Sequence, residues 1–308
     1  MNINGYELKE ELKNANSGFS KWGFATKNGK EYFIKELINP VYPIDDTIMP
    51  EEMFRQRREF CYQYEAKFKR FFEQINNASR GNLVRIIEFF RGGSRYYLIT
   101  EKVEGKSASL EEISSLDQDK KLLLAKTAAY CFKDLHSAGI VHFDVKPSNV
   151  LVKKTDTGNY VAKLIDFDSG FFKGEVLDGK ELGGDLAHLA PETFLAIAGE
   201  DVTPDEKSDI FGLGLLLHEY YCGKLPYFDE NEYEYPYEAA LDNGILKPDS
   251  SMLPEEIEKL IVSMLNVDPQ KRPSAEEIVI KLCELDGNEY FEVEQPKNNN
   301  RLKPAGDL

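Results

Sequence analysis

Apolar residues recur along this chain at two periods, and the change falls near residue 103. Residues 1–34 alternate between polar and apolar positions, the pattern of half-buried strands. Lys21–Thr26 and Lys30–Leu37 flank Asn28-Gly29, a dipeptide that accepts the positive φ of a tight hairpin turn. Pro40, Pro43 and Pro50 make 38–50 a loop. From Glu51 to about Asn76, residues Phe60, Tyr64, Phe68, Phe71 and Ile75 recur at steps of three and four, which predicts a helix with one apolar face. Leu83–Phe90 and Arg95–Glu101 read as strands split by Gly92-Gly93. The first hundred residues therefore predict a small antiparallel sheet with one helix.

After Glu104-Gly105-Lys106-Ser107 the period becomes helical. Asp119–Ala138 puts Ala125, Ala128, Ala129, Phe132 and Leu135 on one face, and Gly139 supplies a stop. Strands are predicted at Asn149–Lys153 and Val161–Asp166. Ser208–Cys222 is apolar almost all round, as a helix at the centre of a domain is. Two amphipathic helices follow at 254–266 and 274–285, and from about Asn288 the chain is polar and rich in Asn, Lys and Pro, a composition expected to fray. No internal repeat is present. The expected class is α+β, with a β-rich lobe over 1–102, a helical lobe over 103–287 and a tail over 288–308.

Composition narrows the function. In 308 residues, 42% hydrophobic and 12% aromatic, there is enough apolar surface for sizeable cores, which excludes a disordered chain. A formal net charge of −16 disfavours nucleic acid and anionic membranes and favours basic partners. Cys61, Cys131, Cys222 and Cys283 are widely spaced, so they read as buried hydrophobes of a reduced protein, with neither a zinc site nor a disulfide framework. The N-terminus has no basic start ahead of an apolar run, and no apolar run reaches the roughly 18 residues a membrane span needs. The expectation is a soluble cytoplasmic protein. Oligomeric state is not legible. A lean towards Asn, Lys and Ile hints at an AT-rich genome of bacterial type.

The chemistry is concentrated in His142-Phe143-Asp144-Val145-Lys146-Pro147-Ser148-Asn149-Val150-Leu151. One tight loop carries an acid, a lysine and an amide and runs into an apolar strand. Asp144 can accept a hydroxyl proton, Lys146 can neutralise a transferred phosphoryl group, and Asn149 can hold Mg²⁺. Five fixed positions recur by chance in a chain of this length with a frequency on the order of 10⁻⁴, so a mere polar turn is a poor explanation.

With that loop between a β-rich front and a helical back, the chain resembles a eukaryotic-type Ser/Thr protein kinase domain over residues from about 10 to 285. The resemblance implies a bilobal fold, ATP and Mg²⁺, and a protein substrate. It implies that Lys35, ending Tyr32-Phe33-Ile34-Lys35, binds the α- and β-phosphates. Lys35 then needs a glutamate from the helix of the same lobe. Of Glu59, Glu65 and Glu73, Glu65 has apolar neighbours such as Cys61 and Phe68, which makes it the expected partner. Asp166-Phe167 match the family's D-F-G, so Asp166 is the expected Mg²⁺ ligand beside Asn149. Ala190-Pro191-Glu192 matches A-P-E, with Arg272 as the expected ion-pair partner of Glu192. Thr100 falls at the gatekeeper position, a small one that implies an accessible back pocket. Glu101 and Val103 then offer backbone groups to adenine.

Four departures stand out. The glycine-rich loop, Asn16-Ser17-Gly18-Phe19-Ser20-Lys21-Trp22-Gly23, keeps Gly18 as its phosphate-approaching glycine. The third position of D-F-G is Asp168, which restricts the backbone and adds a carboxylate near the metal, making Mn²⁺ an alternative to Mg²⁺. Phe143 replaces the arginine that receives an activation-loop phosphate, and residues 170–189 contain no Ser, Thr or Tyr. Activity independent of activation-loop phosphorylation is the expectation. Asp185 replaces a threonine, where it can bind Lys146 and make basic residues in a substrate attractive, while Lys146-Pro147 favours Ser/Thr over Tyr. Two alternatives share parts of the pattern. One is a nucleotide-binding pseudokinase or scaffold, consistent with Phe143, Asp168 and the weak glycine loop. The other is a small-molecule kinase, opposed by Lys146-Pro147, Glu192, Asp209 and Arg272.

Overall fold

In the computed structural model, which describes residues 1–14, 20–45, 49–175, 184–242 and 246–287, the alternating front of the chain folds as a curled antiparallel sheet. Strands β1 (Asn2–Ile3), β2 (Tyr6–Leu8), β3 (Lys13–Asn14), β4 (Ser20–Lys27) and β5 (Lys30–Leu37) come first. Strands β4 and β5 pair from Ser20↔Leu37 to Lys27↔Lys30, closed by Asn28 and Gly29 at φ 54° and 74°. That turn is the one the Asn-Gly dipeptide predicts. Helix α1 (Glu51–Ala78) follows, then β6 (Ile86–Gly92) and β7 (Arg95–Glu101). The strand order is β1-β2-β4-β5-β7-β6, with β3 also on β4. Strand β6 starts at Ile86 and not at the expected Leu83 because residues 82–84 pair elsewhere. The Val84 N–H donates to the Leu164 carbonyl at 2.8 Å, and the Leu164 N–H to the Asn82 carbonyl at 2.8 Å. This segment ties the two lobes together.

Helix α1 lies on the sheet through aromatic rings. Tyr64 and Phe68 stack at 4.3 Å between centroids, Phe72 meets Phe89 at 5.4 Å, and Phe89 stacks on Tyr96 at 5.8 Å. Rings spaced at four and eight residues along one helix can meet a sheet in this way because they share a face.

The rest is mostly helical: α2 (Leu110–Ser114), α3 (Gln118–Ser137), β8 (Ile140–Val141), β9 (Val150–Lys154), β10 (Tyr160–Leu164), β11 (Phe171–Phe172), α4 (Pro191–Ile197), α5 (Glu206–Cys222), α6 (Pro236–Leu241), α7 (Glu255–Met264) and α8 (Ala275–Leu285). Asp117 caps α3 by accepting from the Lys120 N–H at 2.9 Å, and Gly139 leaves it at φ 70°. Every residue of α5 from Ser208 to Cys222 is buried, as its all-round apolar sequence predicts. Two glycines let neighbours close on this helix. A Cβ on Gly212 would lie 2.8 Å from Val145 Cβ, and one on Gly214 would lie 3.0 Å from Met264 Cβ. The four cysteines are buried and free. Among the described residues no helix is long and apolar enough to cross a membrane. The expected tail over 288–308 lies outside the described residues.

Candidate active site

The acidic loop is clamped from behind. Asp209, buried in the first turn of α5, accepts the backbone N–H of His142 and of Phe143, each at 2.8 Å, and faces His136 Nε2 at 2.8 Å. These bonds hold Phe143 at φ 69°, a left-handed conformation that costs an aromatic residue free energy. Phe143 is buried against Phe171, with ring centroids 5.1 Å apart, so it serves as packing where an arginine would be a receiver of phosphate. His142 Nε2 donates to the Ile165 carbonyl at 3.0 Å, fixing the loop to the strand exit that carries Asp166.

Asp144 and its neighbours form a closed set of contacts. Lys146 Nζ donates to Asp144 Oδ1 at 3.0 Å and lies 2.7 Å from Oδ2. Asn149 Nδ2 donates to Asp144 Oδ2 at 2.7 Å and to its carbonyl at 2.8 Å. The amide nitrogen is thus spent on the acid, and Asn149 Oδ1 is the atom of this side chain with the chemistry to bind a cation. The Ile165 N–H donates to the backbone carbonyl of Asn149 at 2.9 Å, which brings Asp166 beside it. A small cleft next to Asp144 is lined by Phe143, Gly184, Asp185, His188 and Thr193.

Lys35, buried on β5, reaches both acids of the Asp166-Phe167-Asp168 segment: Nζ is 2.6 Å from Asp166 Oδ1 and 2.7 Å from Asp168 Oδ2. Burial pulls the Lys35 pKa down, but Asp168 and Asp166 outweigh it and the net direction is upward. For Asp166 burial acts upward, and Lys35 wins, holding the carboxyl below its usual range. Burial, then the Asp166 charge, pushes Asp168 up to about 6. The positive φ falls on Asp166, at 64°, while Asp168 is outside the left-handed region. The substitution of glycine by aspartate therefore carries no left-handed strain.

The expected Glu65 partnership is not formed. Glu65 accepts from the Tyr96 hydroxyl at 3.0 Å and faces Arg91 Nε at 3.3 Å. Glu65 does lie on the sheet-facing side of α1, about 20° from Phe72 around the helix, but the side chains that reach it there are Tyr96 and Arg91 and not Lys35. Glu59 and Glu73 are exposed. Burial first, and the Asp168 carboxylate second, push the Tyr64 phenol up.

The connection between lobes is held by side chains. Glu101 receives Lys163 Nζ at 2.5 Å and the Arg85 N–H at 3.0 Å, and its own N–H donates to the Arg85 carbonyl at 2.9 Å. The Glu101 carbonyl accepts from the Thr100 hydroxyl at 3.4 Å. Val103 packs partly buried against the main core. Gly18, the expected phosphate-approaching glycine, lies outside the described residues.

Asp185 takes a different partner from the one expected. Lys146 goes to Asp144, and Asp185 Oδ1 lies 3.1 Å from His188 Nδ1, whose Nε2 is 2.8 Å from Glu219 Oε2. Burial alone would lower the His188 pKa, but the two carboxylates raise it to about 9. Lys146 is close enough to help hold Asp185 below its usual range, after the hydrogen bond from His188. Arg272 and Glu192 form the expected pair, fully buried, through Nη1–Oε1 at 2.7 Å and Nη2–Oε2 at 2.8 Å. Sequence reasoning missed the Asp209 clamp and the His188–Glu219 bond. Each joins residues more than thirty positions apart within an apolar helix or a loop, where no periodicity marks them.

The donor set fits a hard cation. Asp166 and the Asn149 carbonyl offer oxygen, as Mg²⁺ or Mn²⁺ prefers. No cluster of three His, Cys, Asp or Glu able to hold a metal occurs among the described residues.

A curled antiparallel sheet with one long helix, a helical lobe, and an acid–lysine–amide loop at their junction define a bilobal α+β fold of the protein kinase class. Residues 56–281 match the family model described as protein kinase domain, and the chain belongs to that family. It is 27% identical over 243 residues to the serine/threonine-protein kinase RAD53 of Saccharomyces cerevisiae, covering 72% of this chain and 29% of that protein. It is 29% identical over 211 residues to the serine/threonine-protein kinase PSK2 of the same yeast, covering 66% and 18%. Similarity to the ovarian-specific serine/threonine-protein kinase Lok of Drosophila melanogaster is 29% over 210 residues, covering 67% and 43%. The chain thus spans less than half the length of each of these relatives.

Proposed function

We propose that this protein transfers the γ-phosphoryl group of ATP to Ser or Thr hydroxyls of protein substrates. The observation that carries the reading is the closed set around Asp144, with Lys146 and Asn149 both bonded to its carboxylate beside Asp166. Asp144 accepts the proton of the attacking hydroxyl as the oxygen bonds to phosphorus and the ADP oxygen leaves. Lys146 stays against the transferring oxygens and offsets their charge. Lys35 holds the α- and β-phosphates. Asp166 and Asn149 hold Mg²⁺, which supplies charge neutralisation of the β- and γ-phosphates when bound. Thr100, Glu101 and Val103 line the adenine end. Turnover of roughly 1–100 s⁻¹ is expected for this class.

Three finer points belong to the same reading. Phe143 is buried in apolar contacts, so no arginine stands ready beside Asp144 for an activation-loop phosphate, and the enzyme works without one. Asp185 at the cleft, with the chain's net charge of −16, favours basic protein substrates over nucleic acid. Buried free cysteines suit a reducing cytoplasm.

A second reading, a nucleotide-binding scaffold, draws on Lys35 being tied to two acids instead of a glutamate of α1. Labelled ATP with Mg²⁺ or Mn²⁺, wild type beside Asp144→Ala and Lys35→Ala, separates the two. Asp144-dependent labelling of protein Ser or Thr, read by mass spectrometry, supports the kinase. Nucleotide binding with no transfer supports the scaffold. Labelled small molecules alone would replace both.

A further inference from the structure

A buried ammonium needs a carboxylate that stays with it throughout turnover. In this chain Asp166 cannot be that group, because on the proposed reading it is committed to the cation when nucleotide is bound. Helix α1 offers none, since Glu59 and Glu73 are exposed. Glu65 is already held by Tyr96 and Arg91, and Arg91 is itself anchored over the Tyr42 ring at 3.9 Å. Asp168 Oδ2, at 2.7 Å from Lys35 Nζ, is the remaining acid in contact. It occupies a position that a glycine fills in the resembling pattern, so the carboxylate is an addition at the very point where the helix lacks one.

We infer that Asp168 is the positioning residue of Lys35 and takes the place of a helix glutamate, so that the lysine is organised from the segment after β10 and not from α1. This rests on the proposed kinase reading for its consequence in turnover, though the pairing itself stands on geometry. It also implies that rotating or displacing α1 does not release Lys35, and that movement of the Asp166–Asp168 segment does.

The test uses wild type, Asp168→Asn, Asp168→Gly and Glu65→Gln, with thermal melting to verify folding. Asp168→Asn keeps the shape of the side chain, and Asp168→Gly gives the residue that the resembling pattern has. Phosphoryl transfer is measured together with the Kd of ADP in EDTA, where no metal contributes. Removing an acid near phosphates should tighten ADP binding if charge alone mattered. Positioning predicts the opposite: ADP binding in EDTA weakens about 3- to 10-fold and kcat/KM for ATP falls about 10- to 100-fold in both Asp168 variants. Glu65→Gln stays within about twofold of wild type on both measures. ADP binding in EDTA that is unchanged or tighter in the Asp168 variants overturns the inference, as does an equal loss in Glu65→Gln. A loss confined to metal-containing buffer also overturns it, because Asp168 would then be a metal ligand. If wild type shows no Asp144-dependent transfer, the kinase reading fails while the ADP measurement still decides the Lys35–Asp168 pairing.

Discussion

Lys146 Nζ contacts both carboxylate oxygens of Asp144, at 3.0 Å and 2.7 Å, two residues apart on one loop. The pairing holds the carboxylate in one orientation, as a positioned proton acceptor requires. Asp144→Asn keeps the shape and removes the basicity. A fall in kcat of about 10²–10⁴-fold is expected, with KM for ATP changed little. Steady-state kinetics check it, and retention of more than a tenth of wild-type kcat would count against Asp144 as the base.

Arg272 and Glu192 meet in full burial, and each would leave an unpaired charge behind if its partner were truncated. Arg272→Ala should cost about 3–5 kcal/mol of stability. Replacing both residues by apolar ones of similar volume should cost less than the single change, because no buried charge is then left over. Urea denaturation of the single and double variants measures the difference.

His188 makes stability depend on pH. Its pKa is raised from 6.5 to about 9 by Asp185 and Glu219 against the opposing effect of burial. A raised folded-state pKa means the contribution is complete below pH 6.5 and is lost as pH rises through about 9. The amount involved is on the order of 3 kcal/mol. Unfolding free energies at pH 6, 7.5 and 9 should fall in that order for wild type, and the slope should flatten in His188→Gln.

Gly212 marks where the central helix touches the catalytic loop. An added methyl would meet Val145 Cβ at 2.8 Å, next to Asp144. Gly212→Ala should cost about 1–3 kcal/mol by overpacking and should lower kcat by moving the loop. A variant with wild-type melting temperature and wild-type kcat would show that the loop gives way freely.

Much of this fold is legible in local pattern. Asn28-Gly29 specifies its hairpin by backbone conformation alone, and α3 and α5 declare themselves by apolar spacing and by an all-round apolar run. The short elements α2, α4 and α6 were not marked, because five to seven residues span too few turns to show a period. Strand β6 began later than its apolar run because Leu83 and Val84 pair across to Leu164, a contact no local rule contains.

The candidate site divides in the same way. Asp144, Lys146 and Asn149 are set by sequence alone, since a few residues of one loop cannot separate far and their chemistry is in their identities. The partner of Lys35 was decided by tertiary structure. Apolar neighbours on α1 suggested Glu65, and the helix does turn that side to the sheet, but there the carboxylate meets Tyr96 and Arg91. Asp168 meets the lysine instead, from 133 positions along the chain. Spacing along a helix tells which face a polar side chain lies on, but which partner it meets there is set by the side chains that the opposing strands bring to it, and that is decided only by tertiary packing.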